Sequence, residues 1–359
     1  LSQTRNVGYY AANPWGFFDM HGNVEEWANN RYSHTASSGN PVVDPIGPVS
    51  GSNRVARSGS WYWNDTYLRS GKRFSWAPNL RSARLGFRVG FQAVKPDLAK
   101  THTVDLNATV AMEMIWCPPG TFTMGSPVTE PGRSGNEAEH NVTLTQGFYL
   151  GKYEVTQAQY EAVMTGNSDG LSATPSRWPN NQNRPVEQVS WEDAQIFLTR
   201  LNVQQSANIP AGWAYVLPTE AQWEYACRAG TTTAYSWGSS IAASNANYNW
   251  DGGWNTGSDF KQTRDVGQYA ANPWGFFDMH GNVWEWTADW YQAAYPSGNP
   301  VLDPTGPASG SLRVLRGGSW TTDGSYSRSA ERVGFSPGSR YDDVGQTLGH
   351  GFRVGFQQQ

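Results

Sequence analysis

The chain has 359 residues with a formal net charge of −4 at pH 7, and charged residues make up 16% of it. Its 39 glycines and 18 tryptophans predict many turns, few long helices and aromatic rings that bridge irregular backbone. The length suits one large domain with a fragment, or two domains. The weak charge gives no reason to expect nucleic-acid binding, and no apolar run reaches the length of a membrane span.

One stretch, AANPWGFFDMHGNV, occurs at residues 11–24 and again at 270–283. Each copy is followed by the same landmarks: SGNPV, a DP-x-GP turn, an R-V-x-R run, a GSW triplet and GFRVGFQ. A repeat of this length indicates a duplicated structural unit. The first copy covers roughly residues 1–92 and the second roughly 260–357, so the chain consists of half a unit followed by a whole unit.

The first copy predicts a partial, C-terminal half-domain over residues 1–92, where frequent Pro, Gly, Asn and Ser favour long loops. Residues 84–92, RLGFRVGFQ, alternate enough in polarity to predict a strand. Residues 93–109 show no clear period and are interpreted as a linker. Residues 110–359 then form one complete domain.

The complete domain begins with two strand-rich segments. Residues 114–126, MIWCPPGTFTMGS, predict a short hairpin because an apolar start leads into a Pro-Pro-Gly turn. Residues 142–156, VTLTQGFYLGKYEVT, predict two strands joined through Gly147 or Gly151.

Three helices follow in the complete domain. Thr156 can cap a helix over Gln157–Met164, and capping boxes begin at Ser190 and Thr219. Gly230 is placed to end the third helix. The second helix should run to Gln204 and bury Ala194, Phe197, Leu198 and Leu201.

The two cysteines, Cys117 and Cys227, lie in unrelated contexts and show no CxxC spacing. Two buried free thiols are the favoured interpretation, and a single disulfide stays open.

Seven motifs, in this order, resemble the formylglycine-generating enzyme (sulfatase-modifying factor) domain family: GTFTMGS, FYLGKYEVTQAQY, RPVEQVSWEDA, LPTEAQWEYACRAG, MHGNVWEW, RGGSW and GFRVGF. The resemblance covers roughly residues 110–357, while residues 1–92 resemble only the C-terminal part of such a domain. It implies an α+β fold that is loop-rich, related to C-type lectins and low in regular secondary structure.

The resemblance also implies where catalysis would occur. Active members oxidise a sulfatase cysteine with oxygen, and they bind copper(I) through two cysteines five residues apart after a Gly-Gly-Ser-aromatic motif. Those positions are Thr322 and Ser327 here, and Trp63 and Leu68 in the first copy. Thiolates suit copper(I) and hydroxyls do not, so we expect neither copper nor catalytic residues. The alternative is a divergent oxidase of this family that acts on a protein thiol with other residues.

A related branch of the family holds iron through histidines. The six histidines here form no HxxH or HExxH pair. His21 and His280 occupy equivalent repeat positions, and we expect them to bond backbone groups in a turn.

Structural calcium is the cofactor that the resemblance favours. Its ligands would be the side chains of Asp278 and Glu285 and the carbonyls of Gly281 and Val283. The first copy keeps the same residue types at Asp19, Gly22, Val24 and Glu26. A second site would use Asn247 and the carbonyl of Tyr248. The competing interpretation is that these carboxylates only cap loop amides.

Between GSW and GFRVGFQ the two copies diverge in sequence and in length. A variable loop between constant flanks is typical of a binding surface, here for a protein or glycan ligand. The positions predicted to line it are Ser319, Trp320, Thr321, Thr322, Asp323, Tyr326, Arg328 and Arg332. In the first copy they are Tyr62, Trp63, Tyr67 and Trp76. Neutral drift of a lost active site is the competing explanation.

Together these features predict a non-catalytic, extracellular or cell-surface module that binds a partner or builds an assembly. Half a domain exposes its core, so residues 1–92 need cover. They can pack within the chain, pair with another chain in self-assembly, or belong to a longer precursor.

Overall fold

The structure, a computed structural model, describes residues 3–14, 16–33, 48, 50–89, 101–179, 181–249, 262–295, 300–340 and 349–359. The chain divides into two compact units, Leu1–Lys95 and Pro96–Gln359, which we call unit 1 and unit 2. The predicted linker is wrong in its second half, because residues 101–105 form a strand. Residues 93–100 lie outside the described residues.

Unit 1 contains one four-stranded sheet. Its strands are β1 (Glu25–Arg31), β2 (Arg54–Arg57), β3 (Phe74–Trp76) and β4 (Leu85–Gly86), with a 3-10 helix at Asp65–Tyr67. The strand order is β3-β2-β1-β4, with β1 antiparallel to β2 and parallel to β4. The strand predicted over 84–92 is therefore short, and its last residues, 90–92, lie outside the described residues.

Unit 2 contains three sheets. The five-stranded sheet, in the order β10-β16-β9-β6-β5, consists of β5 (Thr101–Asp105), β6 (Ala111–Cys117), β9 (Phe148–Gly151), β10 (Trp213–Val216) and β16 (Gly355–Gln358). The three-stranded sheet, in the order β12-β8-β7, consists of β7 (Gly120–Met124), β8 (His140–Leu144) and β12 (Val301–Leu302). The four-stranded sheet, in the order β14-β13-β11-β15, consists of β11 (Trp284–Trp290), β13 (Arg313–Arg316), β14 (Val333–Phe335) and β15 (His350–Phe352), and a 3-10 helix lies at Gly324–Ser327.

The hairpin predicted over residues 114–126 is wrong. β6 and β7 follow each other in the chain, but β6 pairs with β5 and β9, whereas β7 pairs with β8. The Pro-Pro-Gly turn therefore carries the chain from one sheet to another. The strands β8 and β9 are confirmed, and Gly147 lies between them.

The three helices are α1 (Gln157–Met164), α2 (Trp191–Gln204) and α3 (Glu220–Arg228). Thr156, Ser190 and Thr219 each form a full capping box, as predicted. The end of α3 differs slightly, because Ala229 takes the left-handed cap with φ of 47°. The predicted buried face of α2 is confirmed. The helices are few and short, so the loop-rich α+β class is confirmed. Among the described residues, no helix has the length and hydropathy of a membrane span.

The repeat in sequence is also a repeat in structure. The sheet of unit 1 has the same strand order and directions as the four-stranded sheet of unit 2. Even the register agrees, because Glu26 lies opposite Arg57 and Glu285 lies opposite Arg316. The sheet of unit 1 therefore repeats the four-stranded sheet of unit 2 in strand order, direction and register.

One position of unit 1 differs in character from its counterpart in unit 2. Glu25, which replaces Trp284, is fully buried. Its carboxylate accepts hydrogen bonds from the indole nitrogens of Trp63 at 2.5 Å and Trp76 at 2.6 Å. The Trp63 ring also stacks on Phe74, with 5.8 Å between ring centroids. Unit 1 thus has a small aromatic core of its own.

In unit 2 the C-terminal half is covered by the N-terminal half, residues 101–249. Phe352 packs against Phe197 of α2, with 5.1 Å between centroids. Buried ion pairs hold helix α3 on the same sheet. Arg316 Nη2 donates to Glu224 at 2.5 Å, and Arg316 Nη1 donates to Glu220 at 3.3 Å. The two halves are therefore joined by both apolar packing and ion pairs.

We expect Glu224→Gln to lower the free energy of unfolding of unit 2 by about 3 kcal/mol, because it removes the nearer of the two carboxylates that pair with the buried Arg316 guanidinium. Urea denaturation followed by tryptophan fluorescence measures the effect. Glu113→Gln is the matched control, since its ion pair with Lys152 at 2.7 Å lies at the surface and should contribute less than about 1 kcal/mol. Equal losses in the two variants would contradict the structural role assigned to Glu224.

Candidate functional site

The loop after β13 holds the two positions at which the resemblance places catalytic cysteines. Thr322 Oγ1 accepts from Ser319 N at 2.9 Å and donates to Ser319 O at 3.1 Å. Ser327 is fully buried, and its hydroxyl has no hydrogen-bond partner among the described residues. Ser319 is also fully buried, and its hydroxyl lies 2.9 Å from Thr321 Oγ1. All of these side chains carry hydroxyl oxygens, which offer copper(I) no soft ligand.

Both cysteines are free and buried, as expected. Burial raises the pKa of Cys227 to about 12 and that of Cys117 well above its usual value. Cys227 Sγ lies 3.6 Å from His280 Nε2. At neutral pH both thiols are therefore protonated, and protonated thiols are poor nucleophiles and poor metal ligands.

The two histidines at equivalent positions of the repeat each bond the equivalent turn in their own copy. His280 Nδ1 donates to the carbonyl of Ser327 at 2.7 Å, and His21 Nδ1 donates to the carbonyl of Leu68 at 2.7 Å. Burial lowers the pKa of His280 to about 4, so its ring is neutral at physiological pH. Both residues bond backbone in a turn, in agreement with the prediction.

The loop that differs between the two copies borders an open cavity of about 530 Å³. Asp323 caps the 3-10 helix by accepting from Ser325 N at 2.8 Å, and its side chain is exposed. Tyr326 is 42% exposed. Trp320 is half-buried and meets Trp178 edge to face at 5.5 Å. The cavity is also lined by Tyr235, Ser239, Ser240, Ile241, Tyr248 and Asn249.

Two predicted members of this face lie in the interior instead. Arg328 is 1% exposed and its guanidinium binds Glu137 at 2.7 Å and Glu331 at 2.6 Å. Arg332 is 3% exposed and binds Glu220 at 2.6 Å. A guanidinium in this environment requires carboxylate partners, so both arginines stabilise the fold. Arg328 also lines the open cavity, although little of its side chain is exposed.

The predicted calcium loop lies at the start of β11. Asp278 Oδ2 accepts from Gly267 N at 2.7 Å, and burial raises the pKa of Asp278 to about 6. Glu285 accepts from Trp223 Nε1 at 2.8 Å and from Arg353 at 3.0 and 2.8 Å. Glu285 therefore faces an arginine, while Asp278 accepts a hydrogen bond from a backbone N–H and from no side chain among the described residues.

The two predicted calcium segments lie against each other. Asn282 N donates to Asn247 O at 2.8 Å, and a Cβ on Gly281 would lie 2.4 Å from the same oxygen, so only glycine fits there. The side-chain oxygen of Asn247 is buried and has no hydrogen-bond partner among the described residues. Tyr248 follows it at the edge of the open cavity. Sequence reasoning treated these segments as two separate sites.

Sequence reasoning also missed Glu154, which is fully buried beside this loop. It accepts from Val283 N at 3.0 Å and from the Asn282 amide at 2.7 Å. Burial and the nearby charges of Asp278 and Glu285 raise its pKa well above its usual value. The sequence signal that could have identified Glu154 is its position between the apolar residues of the KYEVT motif. Across the described residues, no three His, Cys, Asp or Glu side chains are arranged as a metal site.

The equivalent loop of unit 1 repeats these contacts. Asp19 Oδ2 accepts a backbone N–H at 2.8 Å, and Glu26 pairs with Arg88 at 2.7 Å. The other oxygen of Asp19 is buried without a partner in the described residues. The turn is completed by Gly22, which is buried, and Val24, which is half-buried.

The aromatic residues predicted to form the recognition face of unit 1 divide into two groups. Tyr62 is exposed. Trp63 stacks on Tyr67 at 4.8 Å, and Trp76 stacks on Phe74 at 6.4 Å. Most of this predicted face is therefore part of the aromatic core of unit 1.

A family model, described as the sulfatase-modifying factor enzyme 1-like domain, matches residues 1–93 and 100–354. The chain is 30% identical over 288 residues to formylglycine-generating enzyme from Mus musculus, which covers 65% of this chain and 73% of that protein. It is 34% identical over 172 residues to inactive C-alpha-formylglycine-generating enzyme 2 from Bos taurus, covering 45% of this chain and 48% of that protein.

Two solved structures share the fold. Treponema denticola variable protein 1 has a TM-score of 0.57 at 27% identity, covering 71% of this chain and 98% of that one. PvdO from Pseudomonas aeruginosa has a TM-score of 0.58 at 27% identity, with the same coverage of 71% and 98%. The formylglycine-generating-enzyme-like fold of the chain is thereby confirmed.

We expect neither thiol to react with iodoacetamide in the folded protein at pH 8, because a thiol whose pKa is about 12 is ionised in only about one molecule in ten thousand. Mass spectrometry after a timed pulse measures the labelling. The same pulse in guanidinium chloride should label Cys117 and Cys227 fully. Rapid labelling of Cys227 in the native protein would contradict its burial and would point to a reactive site.

Proposed function

Because the chain belongs to the sulfatase-modifying factor enzyme 1-like family, we propose that it is a non-catalytic member that acts as a binding and assembly module. One observation carries the proposal: the positions of the family's copper-binding cysteines hold Thr322 and Ser327. The Thr322 hydroxyl is engaged by Ser319. The name of the bovine relative states that an inactive protein of this family exists.

The recognition face in this proposal is the open cavity beside the variable loop. A volume of about 530 Å³ is within the range of ligand pockets and accommodates a few side chains or a sugar unit. Asp323 contributes a carboxylate to the cavity, and the exposed ring of Tyr326 follows in the same loop. A carboxylate and an aromatic ring together can bind both protein and glycan surfaces. The ion pairs of Arg328 and Arg332 beneath the loop fix its ends, which supports a preformed face.

The second candidate is the divergent oxidase. The contact of 3.6 Å between Cys227 Sγ and His280 Nε2 favours it, because a cysteine beside a histidine is a common reactive pair. The raised pKa of the thiol and the neutral ring argue against activation of this pair. Copper binding and oxygen consumption distinguish the two functions.

We expect the purified full chain to bind no stoichiometric copper(I) and to consume no oxygen in the presence of a thiol peptide. Thr322→Cys combined with Ser327→Cys should create copper(I) affinity, because it restores two soft ligands at the family positions. Competition with a chromogenic copper(I) chelator and an oxygen electrode measure both properties. The two single cysteine variants serve as controls and should bind weakly. Stoichiometric copper with oxygen uptake by the unaltered chain would favour the oxidase.

Structural calcium is part of the proposal. Glu154, Asp278 and Glu285 are three buried carboxylates, and Arg353 supplies the guanidinium that pairs with Glu285. A divalent cation would offset the excess negative charge, and the unpartnered oxygen of Asn247 would gain a bond. The remaining ligands would be the carboxylate of Asp278 and the carbonyls of Gly281 and Val283. When bound, calcium would hold the turn before β11 in place.

We expect millimolar calcium to raise the melting temperature of unit 2 relative to EGTA, because a ligand that binds the folded state stabilises it. Asp278→Asn should abolish most of this shift while the variant still folds. Differential scanning fluorimetry with both buffers measures the effect, and magnesium controls for ionic strength. A calcium shift that survives in Asp278→Asn would place the cation elsewhere.

A further inference from the structure

A second cavity of unit 2, with a volume of about 140 Å³, lies at the N-terminus of α3. Among the described residues, it has no lining residue in common with the open cavity beside the variable loop. The exposed residues Gln292 and Ala294 line it, so it opens at the surface of unit 2. A cavity of about this volume can hold a molecule as small as benzene, so it accommodates a group of a few non-hydrogen atoms.

The wall of this cavity contains a buried carboxylate that forms no ion pair within the described residues. Asp289 is 3% exposed and lines the cavity. Its Oδ2 accepts from Glu220 N at 2.7 Å, in the first turn of α3. Its Oδ1 accepts no hydrogen bond from the described residues. Because a buried carboxylate without a partner is costly, this oxygen is suited to a ligand that supplies a positive charge.

The cations nearest to Asp289 are engaged elsewhere. Arg332 binds both carboxylate oxygens of Glu220 at 2.6 Å. The guanidinium of Arg313 lies over the ring of Trp290, at 3.5 Å from its centroid. Neither arginine is paired with Asp289 in the described structure, so the cationic partner of this carboxylate has to come from outside.

Two further polar groups line the same cavity. The Tyr295 hydroxyl is buried and has no hydrogen-bond partner among the described residues. His140 Nδ1 donates to Ala138 O at 3.0 Å, so Nε2 of the neutral ring is an acceptor. The rings of His140 and Tyr295 lie 4.4 Å apart. The cavity therefore offers a carboxylate oxygen, a ring nitrogen and a hydroxyl to the hydrogen-bond donors of a ligand.

The DP-x-GP turn at residues 303–307 closes one side of the cavity. Gly306 has φ of 72°, and a Cβ there would lie 3.0 Å from Asp289 Cβ and 3.2 Å from Asp289 Oδ1. The backbone of the turn thus lies directly against the carboxylate and shields it from water. Burial, together with the charge of Glu220, raises the pKa of Asp289 to about 7.

We propose that this cavity binds a primary ammonium group, carried by a small amine or by a lysine side chain of a protein. The ammonium N–H groups would donate to Asp289 Oδ1, and the alkyl carbons would contact the apolar lining, which includes Met124 and Pro307. An organic cation is favoured over a metal ion, because no three His, Cys, Asp or Glu side chains of the described residues are arranged to hold one. This second site does not depend on whether unit 2 is catalytic.

Saturation-transfer difference NMR with butylamine and the full chain tests the site. We expect butylamine to bind at least tenfold more tightly than 1-butanol, which has the same length and no charge. Butyrate, which carries the opposite charge, should not bind, because the carboxylates of Asp289 and Glu220 would repel it.

Asp289→Asn should weaken the binding of butylamine by tenfold or more. The amide keeps an oxygen that can accept from Glu220 N, so we expect the variant to fold. Tyr295→Phe, which keeps the ring and removes the hydroxyl, should weaken binding by roughly threefold. Asp303→Asn is the matched control and should leave the affinity unchanged, because Asp303 is exposed and lies in the same turn without lining the cavity.

The pH dependence separates a ligand-binding role of Asp289 from a purely structural one. The charged and titratable groups that face it are Glu220 of α3, Arg313 of β13, Arg332 before β14 and His140 of β8. With a pKa of about 7, Asp289 is mostly ionised at pH 8 and mostly protonated at pH 6, while an alkylamine stays cationic at both. The affinity for butylamine should therefore fall by about tenfold from pH 8 to pH 6.

Equal binding of butylamine and 1-butanol, or an affinity that Asp289→Asn leaves unchanged, would overturn the proposal. A pH dependence that persists in Asp289→Asn would assign it to His140 and would overturn the role of Asp289. No saturation transfer to any probe would mean that the cavity holds only water, which also overturns the proposal.

A peptide with one lysine, and the same peptide with that lysine acetylated, distinguish the two sources of the ammonium group. Binding of the lysine peptide at least tenfold more tightly than butylamine, together with loss of binding on acetylation, would identify a protein lysine. An affinity equal to or below that of butylamine would identify a small amine.

Discussion

The ion pairs between Arg316 and the two glutamates of α3 are the interaction on which unit 2 depends. A guanidinium that is fully buried is stable only with carboxylates beside it, and these carboxylates come from a helix 92 and 96 residues earlier in the chain. The helix is thereby fixed on the four-stranded sheet, and the GGSW loop begins immediately after Arg316. The geometry of the candidate site thus follows from a contact between the two halves of the domain.

Local signals predicted local structure well. The three helices begin where capping residues predict, because a capping box involves only residues three positions apart. The pairing of β6 and β7 with other strands could not be predicted, since their partners are set by long-range packing. The burial of Arg328 could not be predicted for the same reason: its partner Glu137 lies 191 residues away, and nothing near Arg328 in the sequence reveals it.

The candidate site has the fold of the family but not the two cysteines that the resemblance implies. The resemblance placed the two cysteine positions at Thr322 and Ser327, and the structure explains why the loop tolerates the change. Thr322 closes the turn through Ser319, so its hydroxyl takes a structural part. The buried Ser327 hydroxyl contributes no such bond in the described structure. The surroundings of the proposed calcium loop were harder to predict, because they depend on where backbone carbonyls point and on charges such as Glu154 that no motif had marked.

The aromatic core around Glu25 has a consequence for biosynthesis. Unit 1 leaves the ribosome before residues 101–249 exist, and at about 5–20 residues per second the wait is roughly ten to thirty seconds. During that interval the sheet of unit 1 can form without residues 101–249. The indole bonds of Trp63 and Trp76 to a buried carboxylate give the fragment an interior that needs no later segment. A tryptophan at position 25, as at 284, would instead add an apolar surface for chaperones and neighbouring nascent chains.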